Sequence, residues 1–211
     1  MKLHAPLDEI LGSLGKLRIL RHLAAGHQEK TGRQLAKIAR VSQPALLPPL
    51  RDLVQQGVLE KKIRGRSHVF TLNRKNILVE KGLLPLFNLE ANILEELKQL
   101  LQDTFGETGI DSALVYGSIA RGEATPESDW DILLLCSNAR KVKKINQLLP
   151  KYLVEWSTLF STPLDIKAMM TTQFRNLFER GDKLSKKIYD DFLNSQIPNP
   201  LFGRSLTEML G

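Results

Sequence analysis

The chain has 211 residues, 42% of them hydrophobic, with 30 Lys and Arg against 23 Asp and Glu for a formal charge of +7. That is enough apolar material for one core or two small ones, while no run approaches the roughly 18 uninterrupted apolar residues of a membrane span. No signal-like segment opens the sequence and its one cysteine, Cys136, excludes an intrachain disulfide, so a soluble cytoplasmic protein without a membrane partner is expected. The charge is uneven: residues 1–79 hold 15 Lys and Arg against 5 Asp and Glu, and residues 80–211 hold 15 against 18. A basic module that faces nucleic acid, joined to something else, is the reading this split favours over an ordinary solvated surface.

From Asp8 to Ala25 the residues Ile10, Leu11, Leu14, Leu17, Leu20 and Leu23 recur at helical spacing, and Gly26 is a stop. Thr31 caps a short helix through Ile38, and Ser42 opens a third that carries Leu46, Leu50, Leu53 and Val54 to Gly57. Val58–Arg64 and Ser67–Asn73 are β-like runs on either side of Gly65-Arg66. Three helices and a hairpin over 1–79 make a winged helix-turn-helix. GSLGKLRILRHLAAG, TGRQLAKIARVSQPAL and LRDLVQQGVLEKKIRGRSHVFTLN resemble the winged-helix regulators related to the ArsR and MarR families. The resemblance implies residues 43–51 in a DNA major groove, Lys61, Lys62, Arg64, Arg66 and His68 on the wing, and a homodimer, since such proteins often dimerise.

Pro48 and Pro49 depart from that pattern. Each removes a helix hydrogen bond and clashes with the preceding turn at a cost of about 3 kcal/mol or more, so the third helix must kink or begin later. Leu46, Leu47, Pro48 and Pro49 offer no bidentate contact to a base edge. DNA contact is then expected from the basic wing to phosphates, without sequence preference, and a protein-binding or dimerising winged helix stands beside it.

Gly82 to Asn88, with Pro85, reads as a hinge, and Leu86, Leu89, Ile93, Leu94, Leu97, Leu100, Leu101 and Phe105 mark a helix ended by Gly106; 80–107 is thus a linker helix. Ala113 to Leu135, ALVYGSIARGEATPESDWDILLL, then reads as an apolar strand, a Gly-Ser turn opening a short helix, a polar loop and a second strand. Gly117 stops the first strand where the backbone turns tightly or meets a ligand, and a helix start at Ser118 attracts anions. Ten residues on, Asp129 and Asp131 project from one strand face and Trp130 from the other. Two carboxylates alone read best as solvated surface. Beside a phosphate-binding turn they suit a magnesium–nucleotide complex.

Gly117-Ser118 followed by Asp129-x-Asp131, with Ala120, Arg121, Gly122 and Ser128 in place, resembles the signature of the DNA polymerase beta-like nucleotidyltransferase superfamily, and GSIARGEATPESDWDILLL its minimal nucleotidyltransferase branch. The resemblance implies a nucleoside triphosphate as substrate and two magnesium ions, with Gly117 and Ser118 at the phosphates and Asp129 and Asp131 as metal ligands. Arg121 either adds positive charge near the phosphates or pairs with a loop carboxylate such as Glu127. Stand-alone members are similar to antitoxins that adenylylate a HEPN-domain toxin, which implies ATP as donor and a HEPN-type partner.

After Cys136, expected to be a buried structural thiol, Val142, Ile145, Leu149, Tyr152, Trp156 and Leu159 form a helical stripe that Pro150 should kink or divide. Thr162 to Met169 reads as a strand with Asp165 and Lys167 on one face. The family pattern makes Asp165 the third carboxylate, a metal ligand and the base for the attacking hydroxyl. Residues 171–211 look helical, ending in a looser tail. The expected fold is α/β (α+β): a winged helix at 1–79, a linker helix at 80–107, a mixed-sheet nucleotidyltransferase domain at 108–170 and a helical extension at 171–211. The expected function is magnesium-dependent transfer of a nucleoside monophosphate to an acceptor hydroxyl. The alternatives are a transcriptional regulator that binds nucleotide without turnover and, with no acceptor pocket identified, modification of a small molecule.

Overall fold

The computed structural model describes residues 4–210, so residues 1–3 and 211 of the expected domain spans lie outside it. The chain divides into two compact units, one up to Ile93 and one from Leu94.

The first unit begins with α1 (Pro6–Leu11) and α2 (Leu14–Ala24). The single helix expected over this stretch is two, because the Ser13 hydroxyl accepts from Lys16 N–H and caps a new start. Strand β1 (Lys30–Thr31) leads into α3 (Gly32–Ala39), whose start is a reciprocal capping box between Thr31 and Gln34. Helix α4 (Gln43–Gln55), capped by Ser42, neither begins late nor stops at Pro48 and Pro49. Leu46, Leu50 and Leu53 are fully buried on its inner face. Each contributes about 1.5–3 kcal/mol, which offsets what the prolines cost. Strands β2 (Leu59–Arg64) and β3 (Ser67–Leu72) form the wing, and β1 pairs with β3 on the side opposite β2. Together these elements are a winged helix-turn-helix.

The expected linker helix over 80–107 is corrected. A π-helical turn (Val79–Leu83) and α5 (Leu84–Ala91) bury Val79, Leu83 and Phe87 in the first core, whereas α6 (Ile93–Phe105) buries Leu97, Leu101 and Phe105 in the second. Pro85 follows directly on the π-helical turn and lies inside one unbroken helical run, so it marks a change of helical pitch rather than a hinge.

The second unit is built on a mixed sheet, ordered β6-β5-β4-β7, of β4 (Ile110–Tyr116), β5 (Trp130–Cys136), β6 (Leu164–Met170) and β7 (Phe202–Gly203). β4 is antiparallel to β5 and β7, and β5 is parallel to β6 across α8 (Ala139–Phe160). That helix runs unbroken through Pro150, with Ile145, Leu149 and Trp156 buried. Helices α6 and α8 cover one face of the sheet, where Tyr152 stacks on Trp156 and Phe105 meets both rings edge-on beside Ile132 and Leu134. Helices α9 (Thr171–Glu179), α10 (Lys183–Leu193) and α11 (Leu206–Leu210) cover the other, over Leu114, Tyr116, Leu133 and Leu135. The tail is not loose: Leu201 N–H donates to the Ala113 carbonyl, β7 extends the sheet, and Leu206 and Met209 are buried. Among the described residues no helix is long and apolar enough to cross a membrane.

Candidate active site

Strand register assembles the site. Tyr116 ends β4 opposite Asp131 of β5, and Asp131 in turn lies beside Asp165 of β6. Register partners project from the same face, so Tyr116, Asp131 and Asp165 form a row across three neighbouring strands, on the side covered by α9, α10 and α11. Trp130 turns the other way, against Phe160 with ring centroids 6.1 Å apart. Asp129 precedes β5 and is exposed.

Gly117 opens α7 (Gly117–Ala120) at φ +77° and is buried against Asp131. A Cβ there would run into Asp131 Oδ2 and lie 3.1 Å from its Cγ, so only glycine allows this approach of backbone to carboxylate. Ser118 follows, half-buried, its hydroxyl without a protein partner among the described residues. Arg121 does not face open space. Its Nε donates to Glu123 at 2.7 Å and its Nη1 to Asp191 at 2.9 Å, so the carboxylates it pairs with are these and not Glu127. Those bonds hold its guanidinium charged well beyond the ordinary arginine range.

The charges of the row are mutually opposed. Burial first, then Asp165 and more weakly Asp129, pushes the Asp131 carboxyl above the usual range, while Lys167 and Lys187 act against this. Burial likewise pushes the Tyr116 phenol up, with Lys167 opposing. Lys167 stands two residues after Asp165 on the same strand face and donates to Asp165 Oδ2 at 2.7 Å and to Tyr116 Oη at 3.4 Å. The bond to Asp165 raises its own pKa. Among the described residues no three His, Cys, Asp or Glu side chains are gathered closely enough to form a metal cage. The donor set still fits a magnesium ion of the kind held by one or two carboxylates and substrate oxygens, since Asp129 and Asp131 are hard-oxygen groups whose repulsion a cation relieves.

Asp191 and Lys167 carry much of this arrangement, and sequence patterning assigned neither a role. The signal for Asp191 was an acid three residues after Ile188, on the buried face of an amphipathic helix, where a carboxylate needs a partner. Cys136, in contrast, is buried and its thiol is pushed up to about 11, as an inert structural group should be.

Residues 95–191 match the family model "Polymerase beta, Nucleotidyltransferase". The second unit contains the whole of this match. Its matched span runs from the first turn of α6 to Asp191 of α10 and contains every residue of the row. The N-terminal part is similar to a solution NMR structure of the homodimeric winged helix-turn-helix DNA-binding domain of a possible ArsR-family transcriptional regulator from Mycobacterium bovis. The identity is 20%, covering 46% of this chain and 82% of that one, with a TM-score of 0.34. No curated protein gives a significant match.

In the winged-helix unit the wing cations are not equivalent. Arg64 donates to Glu29 at 3.1 and 3.2 Å, and Lys62 pairs with Glu60 at 3.3 Å. Lys61, Arg66 and His68 are exposed and have no carboxylate partner among the described residues. The outer face of α4 presents Pro44, Leu47, Pro48 and Arg51.

Proposed function

We propose that the protein is a magnesium-dependent nucleotidyltransferase that moves a nucleoside monophosphate, AMP from ATP in the first instance, onto an acceptor hydroxyl with release of pyrophosphate. The observation that carries this reading is the row Tyr116, Asp131 and Asp165 with the Gly117 backbone packed against it. Gly117 and Ser118 stand at the phosphates, where the Ser118 hydroxyl and the turn's remaining N–H groups can donate. Asp129 and Asp131 hold the metal, with Asp165 beside them. Two magnesium ions would neutralise the charge that develops on the attacking and leaving oxygens. Asp165, once Lys167 releases it, takes the proton of the acceptor hydroxyl as its oxygen bonds to the α-phosphorus and the bridging oxygen leaves with pyrophosphate. A HEPN-type protein is the acceptor that the minimal nucleotidyltransferase resemblance favours. The winged helix is read as a DNA- or protein-binding module, touching phosphates through Lys61, Lys62, Arg64 and Arg66, on a homodimeric protein.

The test is unfolding with each of four nucleoside triphosphates, with and without magnesium, on the native protein and on Asp129→Ala. A triphosphate at 100 times its dissociation constant stabilises by about 2.7 kcal/mol. A magnesium-dependent rise with one triphosphate, absent in Asp129→Ala, supports the reading, and no rise with any of the four refutes it.

One observation favours a second reading, a regulator that binds nucleotide without turnover: Asp165, the expected base, is already held by Lys167. Transfer of labelled nucleotide to a HEPN-domain protein decides for the enzyme. Saturable binding to the chain's own promoter without turnover decides for the regulator.

A further inference from the structure

Asp191 is a buried carboxylate whose two oxygens are each engaged by the turn that opens the site. Oδ2 accepts from Gly117 N–H at 2.8 Å, across 74 residues of sequence, and Oδ1 accepts from Arg121 Nη1 at 2.9 Å. Its side chain is 5% exposed and Arg121's 31%. A carboxylate at that depth is tolerated only when charge-assisted bonds replace its hydration, and here both donors come from one turn. The same segment holds the turn's far end, because Gln196 N–H donates to the Ala120 carbonyl at 2.7 Å. Helix α10 and the residues after it thus clamp α7 at its first and last residues. Ile188, three residues before Asp191, anchors α10 in the core over Leu114 and Leu133.

We propose that Asp191 is the positioning residue of the nucleotide site: its carboxylate fixes the Gly117–Arg121 turn against Asp131, so the turn meets a triphosphate already in its binding geometry. This rests on the nucleotidyltransferase reading above. Preorganisation of this kind lowers the ordering cost that the ligand would otherwise bear. Two consequences follow from the bonds. The Gly117 N–H is spent on Asp191, so phosphate contacts fall to Ser118 and the residues after it. Arg121 acts through the turn and not on the phosphates, since Asp191 and Glu123 occupy its guanidinium.

The test compares the full chain with Asp191→Asn, Arg121→Lys and Ile188→Val. Asp191→Asn keeps the shape but can no longer accept from both donors, and Arg121→Lys weakens the same pair from its exposed side if the first variant folds poorly, since an ammonium replaces the planar fork that serves Asp191 and Glu123 at once. Ile188→Val loosens α10 without touching the turn. Hydrogen exchange of the ligand-free proteins reads the turn, and titration with the magnesium triphosphate complexes reads the site. Asp191→Asn and Arg121→Lys are expected to speed exchange over residues 117–122 and to weaken triphosphate binding about tenfold or more, the scale of one hydrogen bond to a charged group. Ile188→Val is expected to leave both within about twofold, as a loss of packing alone would. Unchanged exchange in both pair variants overturns the proposal, and so does faster exchange with triphosphate affinity held at the native level. If the native protein binds no triphosphate, the nucleotidyltransferase reading falls and the exchange data alone decide whether Asp191 fixes the turn.

Discussion

Substituting Gly117 by alanine tests the geometry on which the site depends. At φ +77° a side chain costs about 1–2 kcal/mol from left-handed backbone strain alone. The new Cβ would also collide with Asp131 Oδ2 and stand 3.1 Å from Cγ and 3.5 Å from Cβ. Asp131 is half-buried between neighbours on both strands, so displacing its carboxylate adds an overpacking cost of about 1–3 kcal/mol. The expected total is about 2–5 kcal/mol, lost from the second unit. Tryptophan fluorescence is selective for that unit, because Trp130 and Trp156 are the only two tryptophans and both lie in it. With a urea slope of about 2 kcal/mol/M, the middle of the usual range, the unfolding midpoint should fall by about 1–2.5 M. A double-mutant cycle isolates the collision. Asp131→Ala removes Oδ2 and Cγ, so Gly117→Ala in that background should cost only the backbone strain, leaving a coupling of about 1–3 kcal/mol. Equal costs of Gly117→Ala in both backgrounds would refute the packing of Gly117 against Asp131.

Two further outcomes are expected. Because burial and the neighbouring carboxylates push the Asp131 carboxyl up, the folded chain binds that proton more tightly than the unfolded chain does. Its contribution to stability is therefore present below the ordinary carboxylate range and lost as pH rises through the raised value. Asp131→Asn should unfold at higher urea than the native, ligand-free protein at neutral pH, and the difference should vanish in acid; a less stable variant at neutral pH contradicts the argument. On the wing, Lys61→Ala and Arg66→Ala should each weaken binding to a mixed-sequence duplex and reduce the salt slope by about 0.9. Arg64→Ala, already tied to Glu29, should change it less, and anisotropy titrations that show no change for Lys61 or Arg66 would exclude the wing as a phosphate contact.

Of the row, the facing of Asp131 and of Asp165 was legible in the sequence, whereas Tyr116 was not singled out and Asp129, expected on the strand beside Asp131, precedes β5. Strand periodicity alone set Asp131 opposite in direction to Trp130 and put Asp165 with Lys167, and the Gly117-Ser118 turn marked where the first strand ends. What misled was proline. Pro48, Pro49 and Pro150 lie inside continuous helices, and Pro85 lies in a helical run just after its π-turn. A proline's local cost is fixed, whereas the burial of Leu46, Leu50 and Leu53, or of Ile145, Leu149 and Trp156, is known only once the core exists. The tail was misread for a related reason. Asn199, Leu201 and Phe202 show no periodicity, yet the side-chain amide of Asn199 exchanges hydrogen bonds with Val115 and the strand that follows pairs with β4.

By itself the sequence determined the class of the main helices and of β2 to β6, the basic winged helix ahead of a sheet unit, and the residue types at the turn and strand ends, because these follow from periodicities of two and 3.6 residues and from the backbone demands of glycine. Only the tertiary structure decided which charges meet. Lys167 with Tyr116 depends on strand register, and Arg121 with Asp191 and the Asp191 carboxylate with Gly117 N–H depend on how α10 packs over the sheet. Spacing along the chain carries no information about a contact between residues 74 apart, since it is the burial of Ile188 and its neighbours that brings α10 to the turn.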